Sequence, residues 1–234
     1  MSTKILTAVL SAEYGQWRAS LRDVTFSGRF CMMFDIQMGH SQAEKAENHD
    51  RILRIAAARF REKGIEGLSV ADLMKEAGLT HGGFYRHFAS REDLVAEAIA
   101  YALTDGETQG GLEELSADNV TFTTLIDAYL NETHRDSPAQ GCAVAALAGD
   151  VARSGARTRA VFTRQVKRNI QSLSAMLANG DAPSKRAHAI LIWSALVGSL
   201  TLARAVNDKK LSAEILETVR VGMKSLFGNP KGKK

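Results

Sequence analysis

"SVADLMKEAGLTHGGFYRHFASRED", Ser69 to Asp93, packs three helix starts and two adjacent glycines into one short stretch. "SVAD", 69 to 72, has the S-x-x-D spacing in which a serine side chain accepts the free backbone N–H three residues on. Leu73 and Ala77 give that helix a short buried face, and Gly78 stands where a helix end takes a left-handed residue. Thr80 is placed to cap a further helix to about His87, and "SRED", 90 to 93, opens another through Leu94, Ala98 and Tyr101. Gly82 and Gly83 interrupt this economy. A glycine inside a helix costs roughly 0.5–1 kcal/mol relative to alanine, so the pair calls for a reason in turn geometry, packing or a ligand.

Working outward, "SQAE" at 41 to 44 reads as a capping box that starts a first helix, whose stripe Ile52, Ile55, Ala56 and Phe60 stops at Gly64. A polar, glycine-rich break, "TDGETQGG" at 104 to 111, ends this cluster. Five longer helices are expected beyond it. Phe122 to Leu130 marks the first, and "SPAQ" at 137 to 140 opens the second as a capping box with proline at its first position. Val161 to Leu177, Pro183 to Val206 and residues 212 to 227 trace the other three. No run of β-branched residues alternates as a strand would, so the fold class is all-α. The division is a helix-turn-helix unit over 41–104, an effector-binding and dimerisation region over 105–228, and a basic tail over 229–234. Residues 1–40 read as an extension, disordered or not native, because "MGHSQAEKAENHDRIL" begins at Met38 like a natural start.

Composition narrows the classes. Two cysteines, Cys31 and Cys142, are too few and too far apart for a disulfide framework or zinc module, which fits a cytoplasmic protein without metal or cofactor. The apolar run Ala189 to Ala203 falls short of the roughly 20 residues of a membrane span and reads as a buried helix, so no membrane partner is expected. There is no phosphate loop, metal-spaced histidine pair or nucleophile elbow, and an enzyme is not expected. The net charge of +4 is weak evidence for nucleic acid, because residues 47–103 carry eight Lys/Arg against nine Asp/Glu. Any DNA footprint depends on which face the cations occupy.

The helix, short "AGL" turn and helix have the dimensions of a helix-turn-helix, whose second helix enters the major groove tip first. The groove is about 12 Å wide and a helix with side chains about 10–12 Å across, so bare glycines at the tip let the backbone approach the bases. On this reading His81 reads a base, Tyr85 offers its ring to a thymine methyl and its hydroxyl to phosphate, and His87 donates to the DNA backbone. Arg91 in the next first turn, with Ser69 and Thr80 at the caps, completes the phosphate contacts. Phe84 is expected inward and Tyr85 outward.

"GIEGLSVADLMKEAGLTHGGFYRHFASREDLVAEAI", Gly64 to Ile99, resembles the DNA-binding signature of the tetracycline-repressor (TetR) family, strongly over about residues 47–103. The resemblance implies a homodimer that binds a palindromic operator on double-stranded DNA, usually as a repressor, and lets go when a small molecule occupies the C-terminal domain. By matching position, Ser69, Tyr85, His87 and Arg91 are implied to contact the DNA backbone, and His81, Gly82 and Gly83 to form the base-facing tip. Phe84 stands where leucine is more usual, and Arg91 where lysine is common. The last two helices resemble the family's dimer interface, with Trp193 as anchor, Ala195, Gly198 and Ser199 allowing close approach, and Val219 and Met223 on the partner helix.

Cys142 is a candidate effector or redox site: it is expected just inside a capped helix, near His134 and Arg135, and a helix N-terminus with cations nearby is a setting of reactive thiols. A small packed core thiol is the other reading. The effector is unidentified, and composition alone suits an apolar or aromatic one. The competing functional class is an all-α ligand-binding or protein-interaction module without DNA binding.

Overall fold

The computed structural model describes residues 28–108, 121–178 and 180–228. The chain divides into two units at Lys45/Ala46. Of the first, the described part is the beginning of helix α1, Gly28–Lys63; the rest of α1 and every later element belong to the second. The extension before residue 28, the break at 109–111 and the basic tail lie outside the described residues.

Helix α1 passes through Ser41, so "SQAE" is not a helix start. A capping box works only where the preceding backbone leaves the helix, and residues 28–40 are themselves helical. Inside the second unit α1 buries Ile52, Ala56, Ala57 and Phe60, and ends at Gly64 with φ +76°.

α2 follows as Val70–Glu76, with the Ser69 hydroxyl accepting the Asp72 N–H at 3.1 Å. At its end Gly78, φ +71°, donates to Lys75 O and Leu79 donates to Met74 O at 2.8 Å, the paired 5→2 and 6→1 bonds of a Schellman stop. The next element, His81–Arg86, is a 3-10 helix rather than the expected α-helix, and the Thr80 side chain makes no cap bond. Helix α3, Arg91–Thr108, starts where Ser90 accepts the Asp93 N–H at 3.1 Å and runs past the break expected at 104.

Beyond residue 120 the helices are α4 (Phe122–Tyr129), α5 (Glu132–Asp136), α6 (Ala143–Ala152), α7 (Ala156–Met176), α8 (Ala182–Ala205) and α9 (Lys209–Phe227). That is six among the described residues where five were expected. "SPAQ" lies in the turn between α5 and α6, and α6 begins at Cys142 as N-cap, without a side-chain cap bond. The turn holds this shape through contacts from remote helices, described below. α7 packs on α8 and α3, α8 on α9, and α6 against α3, α7 and α8. One continuous apolar core runs from Ile52 to Met223. By length and hydropathy α8 would suit a membrane, but Ile192, Leu196 and Leu200 are wholly buried in the core.

Candidate nucleic-acid interface

The expected reading surface gathers on one short element. Phe84 is buried in the core, 3 % exposed, and Tyr85, 73 % exposed, points to solvent with its ring edge-on to Phe84 at 5.2 Å. This settles the expected division between the two aromatics. His81, Gly82, Ser69 and Thr80 are exposed too.

The glycines have no role inside the fold. A Cβ on Gly82 would meet nothing within 4 Å, and one on Gly83 only ordinary contacts, Thr80 Oγ1 at 3.6 Å and Met74 Cε at 3.7 Å. Neither has a positive φ. Alanine would fit both places and recover backbone entropy, so the missing side chains clear a space outside the chain.

Two phosphate candidates are turned toward the protein. Arg91 donates Nη2 to Ile65 O at 2.9 Å and Nη1 to Glu66 Oε1 at 3.0 Å, tying the start of α3 to the α1–α2 turn. His87 is half-buried, 6.0 Å from the ring of His49 and 6.4 Å from that of Phe88. His49 in turn stacks on Phe88 at 4.7 Å and meets Glu97 Oε2 at 3.0 Å. Arg59 is engaged as well, bidentate on Glu76 and bonded to Glu62 at 2.6 Å, and these carboxylates hold its guanidinium above its ordinary range. Lys75 and Arg86 remain exposed and form no ion pair among the described residues. Neither is among the expected contacts; the available signal is a cation on each side of the glycine pair, Lys75 in the preceding helix and Arg86 three residues after Gly83.

The second candidate region surrounds Cys142. His134 Nδ1 lies 2.7 Å from Tyr129 O, while His134 Nε2 accepts the Cys142 N–H at 2.9 Å. These two bonds require a neutral imidazole with its proton on Nδ1. Burial holds His134 below the usual imidazole range, against the pull of the Tyr129 carbonyl, and the Arg204 charge acts in the same direction as burial. Arg204 donates Nη2 to His134 O at 2.6 Å and Nε to Arg135 O at 3.0 Å, closing the last turn of α5. A Cβ on Gly141 would strike Arg204 Nη2 at 2.8 Å and His134 Cδ2 at 2.9 Å, which is why this turn takes glycine. The buried Tyr129 hydroxyl faces the Cys142 thiol without a hydrogen bond of full geometry. Burial pushes the phenol up, and the thiol adds to that rise. Cys142 itself is half-buried.

Half of the expected dimer contacts are buried inside the protomer. Trp193, Ser199 and Met223 are buried, Trp193 edge-on to Tyr129 at 5.8 Å, and Ala195, Gly198 and Val219 are half-buried. α8 packs on α7 and α9, and α9 on α4, while a Cβ on Gly198 would meet nothing within 4 Å. The exposed apolar side chains are Ile190, Leu191 and Leu202 on α8 and Leu211, Val221 and Leu226 on α9.

Known proteins agree with this geometry. The family model of bacterial regulatory proteins, tetR family, matches residues 52–98. The HTH-type transcriptional repressor KstR2 of Rhodococcus jostii is 26 % identical over 129 residues, 55 % of this chain and 62 % of that protein. The repressor of the same name from Mycobacterium tuberculosis is 42 % identical over 84 residues, 36 % of each chain. The chain thus matches less than two thirds of these relatives' length. Reduced E. coli NemR shares the fold over 80 % of this chain and all of its own, with a TM-score of 0.65 and 18 % identity. Signature, reading element and helical architecture agree, and residues 52–98 are identified as a DNA-binding domain of the type found in bacterial regulatory proteins of the tetR family.

Proposed function

We propose that the protein is a cytoplasmic, homodimeric, ligand-responsive transcriptional repressor that binds a palindromic operator through the 3-10 tip at 81–86. The observation that carries this is the space at Gly82 and Gly83: the fold tolerates side chains there, and a major-groove floor does not. His81 and Tyr85 flank the bare tip, with Ser69, Thr80, Lys75 and Arg86 in reach of phosphate. Arg91 and His87 support the tip from behind and contact DNA only if their internal partners exchange. Two tips must sit about 34–36 Å apart to read adjacent half-sites, and the exposed leucines of α8 and α9 offer the face on which two protomers would join.

Selection of bound DNA from a random pool tests this directly. A palindrome should emerge for the native chain, and Gly82→Ala should lose affinity for it while its melting temperature stays level or rises; failure to select any palindrome returns the chain to the ligand-module class. An electrophile route to release has its own support in Cys142, a free, half-buried thiol at the start of α6 beside His134. Cys142→Ser should then abolish release by a quinone or aldehyde, and unchanged release would dispose of that route.

A further inference from the structure

A cleft of about 850 Å3 opens where helix α1 of the reading domain meets the regulatory helices, and its charges do not balance. Of its carboxylates, Glu62 is held by Arg59 at 2.6 Å and Asp136 by Arg135 at 2.7 Å, while Glu132 reaches Arg135 at 3.9 Å. Arg204 has no carboxylate within ion-pair distance among the described residues: it spends two of its donors on the carbonyls of His134 and Arg135, and its buried Nη1 has no partner. Lys209, at the N-terminus of the 19-residue α9, is in no ion pair either. Two carboxylates, Asp136 and the more distant Glu132, thus answer three nearby cations, Arg135, Lys209 and Arg204, which hold the Asp136 carboxyl below the ordinary aspartate range. Beside this charge the wall is apolar, with Ala145, Ala146, Ala203 and Val206.

We propose that this cleft binds a small organic acid, its carboxylate taken by Arg204 and Lys209 and its apolar body laid along the alanine wall. An arginine that lines a cleft without a carboxylate partner, beside an apolar surface, selects a carboxylate that carries hydrocarbon over a bare inorganic anion. The cleft also reaches the reading domain directly. Arg61, near the end of α1, lines it and is 7 % exposed, donating Nε to Ala139 O at 2.6 Å and Nη1 to Ala102 O at 3.1 Å. A ligand that shifts the 137–142 turn therefore shifts the anchor of α1. The binding claim stands on the cleft alone; the effect on operator affinity rests on the repressor reading.

The test uses 4-phenylbutyrate on the full chain at constant ionic strength, with the neutral 4-phenylbutyramide as the charge control. The acid should raise the melting temperature saturably, by about 3–5 °C at ten times its dissociation constant, and the amide should not. Arg204→Gln should remove the effect. Because that change also uncaps α5, Ala205→Glu serves as a second variant: Ala205 is exposed at the cleft, and a carboxylate there should weaken binding of the acid at least ten-fold with the fold intact. Equal response to acid and amide, no response at all, or an unaltered Ala205→Glu would overturn the site. Binding of the acid without loss of operator affinity would keep the site and overturn its coupling to DNA. Absence of any operator would leave the thermal result standing and count against the repressor reading.

Discussion

The reading tip and the 137–142 turn are both short segments between helices, yet they are fixed by bonds of very different reach. Ser69 and Ser90 bond N–H groups three residues ahead, and Gly78 closes α2 on its own last turn. The 137–142 turn is held instead by Arg61, 78 residues from Ala139, and by Arg204, which grips the end of α5 about 70 residues away. A locally capped tip keeps its shape whatever happens elsewhere, as a groove-reading element must. A turn held largely by distant side chains moves when they move, as a transmitting element must.

The largest effect should follow from cutting the long-range half of this contrast. Arg61→Met keeps apolar bulk but removes the donors to Ala139 and Ala102, two charge-assisted bonds in a nearly dry site. The expected loss is about 3–5 kcal/mol in urea unfolding, from about 1.5–3 kcal/mol per bond to a charged group. A loss below about 1 kcal/mol would mean the turn is held locally after all.

Gly83→Leu probes the local half and should separate folding from function. A Cβ at Gly83 makes only ordinary contacts in the protomer and the 3-10 element faces solvent, so unfolding free energy should change by less than about 1 kcal/mol. Operator affinity should fall at least about 100-fold, roughly 2.7 kcal/mol, for every operator tried, because depth of insertion rather than one base contact is lost. Selective loss at one operator would instead make Gly83 a specificity residue.

The same contrast explains what the sequence made legible. Helix starts at Ser69 and Ser90, the stop at Gly78 and the inward Phe84 follow from neighbours within one turn, and all appear where expected. The "SPAQ" and "SQAE" boxes have the right spacing and start no helix, because spacing cannot report that α1 already runs through Ser41, or that Arg204 grips the end of α5 and Arg61 holds Ala139 in the turn that follows. Arg91 was assigned to phosphate on position alone, and its bonds to Ile65 and Glu66 depend on a turn 25 residues back. Trp193 and Met223 were placed on the dimer face because an apolar helix hides which side faces its own core.

Ser69→Ala is a smaller probe of the tip. It removes the acceptor for the Asp72 N–H at an exposed cap, where the usual loss is about 1 kcal/mol. Hydrogen exchange in 70–76 should rise with little change in 143–152, since nothing local joins the two. Parallel loosening of α6 would show that the reading domain and the turn share one cooperative unit.

The smallest effect concerns the turn's own titratable group. The folded imidazole of His134 binds its proton less readily than an unfolded one, so the unfolded chain takes up more protons as pH falls. Stability from this residue is therefore complete above about pH 6.5, the unfolded value, and is lost as pH drops from there through the lower folded value. Protonation would also remove the acceptor of the Cys142 N–H, so the turn should loosen in that window. The carboxylates held low by cation partners, Glu76, Asp127 and Asp136, act the same way but below about pH 4, which keeps the two ranges apart. Urea midpoints between pH 7 and 5 should fall for the native chain and run flatter for His134→Gln. Equal slopes would mean that the imidazole is not held neutral by its two bonds, and that the turn does not depend on them.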